Sequence, residues 1–123
     1  MVSSIEFNKK LISDAEKDYS KLNLSKDQRA LIDNAAKVYL NYLNVSEMAM
    51  KGFISRAMRD WQLRTKKDLA DFMSWPKNEM IQITRDIGKI LKEIMTKVVI
   101  KSEQIPLLER AIDEAIDISV KNF

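Results

Sequence analysis

The amino-acid sequence contains neither cysteine nor histidine. Their absence excludes disulfide scaffolds, thiolate nucleophiles, histidine acid–base catalysis and zinc sites with nitrogen or sulfur ligands. Most small enzymes depend on at least one of these chemistries. The sequence therefore predicts a protein that is not an enzyme, with no catalytic residues, no cofactor and no metal site.

Glycine and proline are scarce, with two of each among 123 residues. A β-protein uses more of both at its turns, and a disordered chain is less apolar than the 46% hydrophobic content of this sequence. A chain of this length can bury one core without disulfides or metals to support it. We expect a single all-α domain that spans residues 1–123.

Long hydrophobic runs are also missing. No apolar run approaches the roughly 18 residues of a membrane span. The first 25 residues carry four acidic side chains, whereas a signal peptide has an apolar stretch there. These features predict a cytoplasmic protein without a membrane span.

Apolar residues recur at helical spacing along the chain and predict a bundle of four or five helices. Short connections favour antiparallel neighbours, so we expect most of the helices to be antiparallel. Two capping boxes, Ser3 with Glu6 and Ser25 with Gln28, mark the first two helix starts. The predicted helices span residues 4–22, 26–43, 47–73, 77–101 and 107–121.

Two prolines mark the last two helix starts. Pro76 disfavours helical conformation at Trp75 but fits the first turn of a new helix, which Ser74 can cap. Pro106 marks the boundary before the last helix in the same way.

The apolar stripe changes direction near the middle of the chain. Apolar positions within residues 31–45 share one helical face, and those within residues 54–72 share a face rotated by roughly 155°. Either a new helix begins between them with Ser46 as its N-cap, or residues 26–73 form one long bent helix.

Basic residues concentrate in the middle of the chain. The formal net charge is +3, and residues 51–101 hold twelve cations against six anions. This excess permits a nucleic acid or another anionic partner without demanding one. Trp61 interrupts the cations but falls on the apolar face, so we predict that it belongs to the core. The candidate anionic-partner surface consists of Arg56, Arg59, Arg64, Lys66, Lys67, Arg85, Lys89 and Lys92.

The fourth predicted helix carries a stripe with nearly the 3.5-residue spacing of a coiled-coil seam. Its members, Ile83, Ile87, Ile90 and Ile94, form the candidate self-association seam. This seam favours a homo-oligomeric interaction or assembly module, and another protein partner would suit the same surface. Two alternatives stay open: a nucleic-acid-associated protein that binds phosphates through its basic middle, and an amphipathic coat on a particle or granule surface.

Overall fold

The computed structural model describes residues 7–122, which form five α-helices packed as a bundle. The expected all-α fold is confirmed. Among the described residues, no helix is both long enough and apolar enough to cross a membrane. The helices are α1 (Lys9–Ser20), α2 (Lys26–Tyr39), α3 (Glu47–Thr65), α4 (Lys77–Thr96) and α5 (Ile105–Lys121), with short 3₁₀ turns at Phe72–Ser74 and Ser102–Gln104.

Helix α1 begins later than residue 4, where the sequence places its start. The Asn8 side chain caps the helix by accepting hydrogen bonds from the backbone N–H groups of Lys10 and Leu11. Phe7 is not helical, because it pairs with Val99 in an isolated antiparallel bridge. The capping box predicted at residues 3–6 lies outside the described residues.

The turn between α2 and α3 rules out one long bent helix over residues 26–73. The capping box of Ser25 and Gln28 starts α2 as predicted, and α2 ends at Tyr39. Ser46 then caps α3 by accepting a hydrogen bond from the backbone N–H of Ala49. The change of phase in the apolar stripe is therefore a true helix break.

Helix α3 ends at Thr65, eight residues before the predicted end at residue 73. Lys66 adopts the left-handed conformation with φ of 63°, which stops the helix. The Gln62 side chain then accepts a hydrogen bond from the backbone N–H of Leu69 at 2.7 Å. Leu69 and Phe72 are fully buried, as their apolar character predicts, but Leu69 reaches the core from a loop and Phe72 from the 3₁₀ turn.

Helix α4 begins at Lys77, directly after Pro76, as predicted. Ser74 does not cap it, because the Ser74 hydroxyl donates to the carbonyl oxygen of Asp71. The helix ends at Thr96 and not at residue 101, because the chain beyond it turns to bind the N-terminal segment. There the Asn8 backbone N–H donates to the Val98 carbonyl oxygen at 2.7 Å.

Helix α3 lies at the centre of the bundle, in contact with α1, α2 and α4, while α5 packs against α2 and α4. Helices α2 and α3 run antiparallel, since Asp33 pairs with Lys51 at 3.1 Å and Gln28, earlier in α2, bonds Gln62, later in α3. Helix α5 begins at Ile105, two residues before its predicted start, with Pro106 in its first turn.

Candidate functional site

An apolar groove runs along α2 where that helix faces α5 and the first half of α4. Helix α2 contacts α3 and α5, and three residues of its apolar stripe, Leu31, Ala35 and Val38, stay only partly buried. The groove has a volume of about 430 Å³. It is lined by Leu31, Asn34, Ala35, Lys37, Val38, Met73, Thr84, Ser119 and Asn122.

The floor of the groove is incompletely packed. A smaller cavity of about 30 Å³ continues inward and shares Leu31 and Ala35 with the groove. Gly88 lines this inner cavity and lets Ile116 lie against its backbone, since an added Cβ would lie 2.1 Å from the Ile116 Cδ1 atom. The space beneath the groove is therefore large enough for about one or two water molecules and too small for a side chain.

The chemical character of the groove suits apolar contact better than catalysis. Lys37 is the single ionisable residue among the nine that line it. The Thr84 hydroxyl donates to the Met80 carbonyl oxygen at 2.8 Å, so its hydrogen is already used within α4. One of the lining residues, Met73, is an exposed apolar side chain with an exposed fraction of 46%.

The predicted self-association seam is not a free surface of the chain, which corrects the expectation from its spacing. Ile83, Ile87 and Ile90 are buried, at 5–7% exposure, inside the core of the single chain. Ile94 is partly buried against the same core. The spacing of the four residues is equally suited to packing within one chain, and that is the role which the structure gives them.

Two basic residues of α3, Arg56 and Arg64, form ion pairs with different neighbours, α1 and α4. Arg56 on α3 pairs with Asp18 on α1, and Arg59 lies close enough for its charge to act on the same carboxylate. Arg64 binds Asp60 on its own helix and Glu93 on α4, the latter at 3.0 Å.

Two basic residues of α4, Arg85 and Lys92, face α5 instead. Arg85 lies 3.8 Å from Asp117, and Lys92 lies 2.5 Å from Asp113. The later residue of α4 in these two pairs contacts the earlier residue of α5, so the two helices are antiparallel, as predicted. Arg56 thus faces α1, and Arg85 and Lys92 face α5, while Arg64 reaches α4 through Glu93. The exposed members of the candidate surface are Arg59, Arg64, Lys66, Lys67, Arg85 and Lys89.

Within residues 7–122, three ionisable groups have pKa values displaced by their surroundings. The hydrogen bond and charge of Arg56 hold the pKa of Asp18 below its usual range. Burial lowers the pKa of Lys51, but the hydrogen bond to Asp33 and the charges of Asp33 and Glu47 outweigh it, so the net shift is upward. Burial raises the pKa of Tyr39, which lines the inner cavity.

No protein family, curated protein or solved structure matches this chain. The groove must therefore be interpreted from its own geometry. The apolar periodicity of α2 places Leu31, Ala35 and Val38 on one face, but it does not predict that this face lines a groove. The only signal available was the width of that face, which does not say how much of it the neighbouring helices cover.

Proposed function

We propose that this protein is a non-enzymatic helical interaction module that self-associates through the groove along α2, and that it acts in the cytoplasm, as its sequence predicts. The observation that carries the proposal is the open apolar groove of about 430 Å³, with its incompletely packed floor. Apolar grooves of this kind accept the side chains of a partner helix.

The exposed Met73 favours a second copy of the same chain as the occupant. Met73 exposes apolar surface at the wall of a groove that no side chain of the same chain fills. A two-fold axis next to the groove would bring the Met73 of each copy to the groove of the other, and one self-complementary patch would serve both chains. Such a contact would cover apolar surface on both copies at once.

The charge arrangement favours this proposal over the nucleic-acid alternative. Phosphate binding by Arg56, Arg64, Arg85 or Lys92 would compete with the ion pairs that these side chains already make. Among the candidate cations of the described residues, the four without an ion pair are few for a continuous phosphate-binding track. Assembly through the groove requires no such rearrangement.

Light scattering at protein concentrations up to about 100 μM tests the proposal, since a micromolar contact is occupied at that concentration. Wild-type protein should have a mass above that of one chain. Met73→Glu should return it to the monomer mass, because a carboxylate would be buried at the contact. Met48→Glu is the matched control, since Met48 lies on α3 away from the groove and is also 46% exposed.

Two results would contradict the proposal. A wild-type mass of one chain at every concentration would exclude self-association. An oligomer that Met73→Glu leaves intact while Met48→Glu dissociates it would place the contact on another surface.

A further inference from the structure

Both tryptophans of the chain line one pocket, which lies between the end of α3 and the beginning of α4. Its volume is about 410 Å³, and it is separate from the groove along α2 because the two share no lining residue. The remaining lining residues are Thr65, Lys67, Glu79, Gln82, Ile83 and Asp86.

The aromatic part of the pocket is held in place by packing. Trp61 is only 4% exposed and lies in the core at the base of the pocket. Trp75 is partly buried, and its ring centroid lies 6.1 Å from that of Phe72, which is fully buried. Pro76 follows Trp75 and restricts its backbone to the extended conformation that it adopts here. Trp75 therefore presents a partly exposed indole held in place by its neighbours, and Trp61 lines the pocket from within the core.

The acidic part of the pocket has no internal counter-ion. Within residues 7–122, neither Glu79 nor Asp86 forms an ion pair, although acids at helix contacts such as Asp113 do. The Gln82 side-chain amide donates to Asp86 at 2.9 Å and positions its carboxylate. Lys67 lines the same pocket, so its ionisable residues carry two negative charges against one positive charge.

We propose that this pocket binds a methylated ammonium group. An organic cation is attracted by a tryptophan ring such as that of the partly exposed Trp75, and the carboxylates of Glu79 and Asp86 add charge attraction. Methyl groups make such a cation less strongly hydrated than a bare ammonium, which suits a pocket that also contains Ile83. The group could belong to a small molecule such as choline or to a methylated lysine side chain of another protein.

Intrinsic fluorescence reports directly on this site, because the chain has no tryptophan outside the pocket. Titration with choline should change the emission saturably, and its neutral isostere 3,3-dimethylbutan-1-ol should not. In a second arm, a short peptide with one trimethylated lysine is compared with the unmodified peptide. Tighter binding of the peptide identifies a protein source for the cation, and tighter binding of choline identifies a small molecule.

Charge variants separate cation binding from simple apolar contact. The double change Glu79→Gln and Asp86→Asn should weaken binding of the cationic probe by about tenfold or more. Lys67→Gln should strengthen it, because this change removes the one positive charge of the pocket. Glu109→Gln, an exposed acid on α5, is the matched control and should leave the affinity unchanged. Circular dichroism melts verify that each variant is folded.

The proposal is overturned if neither choline nor the trimethylated peptide gives a saturable change with folded wild-type protein. It is also overturned if the neutral isostere binds as well as choline. Equal affinities of the Lys67→Gln variant, the acidic double variant and wild-type protein for the cationic probe would lead to the same conclusion. Affinity would then not depend on the charge of the pocket.

Discussion

Gly52 of α3 lies against the backbone of Ala15 in α1: a Cβ atom added at Gly52 would lie 2.4 Å from the Ala15 carbonyl oxygen. The two helices therefore cross in backbone contact, which only glycine permits at this position. At Gly88 the nearest atom to an added Cβ is the tip of the Ile116 side chain, which can rotate away. Gly52 therefore allows two helix backbones to touch, whereas Gly88 makes room for a side chain that can move.

Gly52→Ala should destabilise the protein by about 1–3 kcal/mol, because backbone atoms of α1 must move to make room. Gly88→Ala should cost less than about 1 kcal/mol, since alanine is the better helix former and Ile116 can shift. Urea unfolding of both variants tests this difference. Equal unfolding midpoints for the two variants would show that the backbones of α1 and α3 are not in close contact at Gly52.

Trp61 is a core residue, whereas Arg59 on the same helix is exposed. Trp61→Ala should cost roughly 3–5 kcal/mol through the cavity that it leaves, and Arg59→Ala should cost less than about 1 kcal/mol. Urea unfolding measures both values, provided that the dependence of the unfolding free energy on urea concentration is the same for each variant. An unchanged midpoint for Trp61→Ala would contradict the packing assigned to this side chain.

Tyr39 should make the protein sensitive to alkali. Burial raises its pKa above the unfolded value of 10.0, so the stabilisation from its neutral form is complete below pH 10 and is lost as the pH rises above 10. Above pH 10 the free energy of unfolding should fall faster for wild-type protein than for Tyr39→Phe, by up to about 1.4 kcal/mol per pH unit. Parallel curves for the two proteins would argue against a buried hydroxyl.

Asp18 should make a corresponding contribution in acid. Because its folded pKa lies below 3.8, its ion pair with Arg56 stabilises the protein above that pH and loses its effect as the pH falls through the folded pKa. Asp18→Asn should therefore flatten the loss of stability below pH 3.8. Chemical unfolding at several acidic pH values measures the slope, and identical slopes would show that the pair is not formed in solution.

Local signals in the sequence predicted the helices well where a single residue decides the boundary. Ser25 and Gln28 start α2 and Ser46 starts α3 because a side-chain cap depends only on neighbouring residues. The predicted end of α3 was wrong because Leu69 and Phe72 continue the apolar pattern beyond the helix, from a loop and a 3₁₀ turn. Periodicity reports which side chains are buried and does not report whether the backbone between them is helical.

The candidate sites depended on tertiary arrangement and were harder to predict. The seam residue Ile87 faces its own core, and Arg56 and Lys92 face different neighbours, because the positions of α1 and α5 decide which faces stay open. Neither the groove along α2 nor the tryptophan pocket follows from one helix alone. Each is formed by residues from separate parts of the chain.

The central claim, that a second copy covers the groove along α2, is tested most directly by intermolecular contacts at Met73. A mixture of protein labelled with ¹³C at the methionine methyl groups and unlabelled protein allows filtered nuclear Overhauser measurements between copies. We predict intermolecular contacts from the Met73 methyl group to protons of the partner's groove, and none from Met48. Intermolecular contacts from Met48 alone, or none from any methionine at about 100 μM, would contradict the claim.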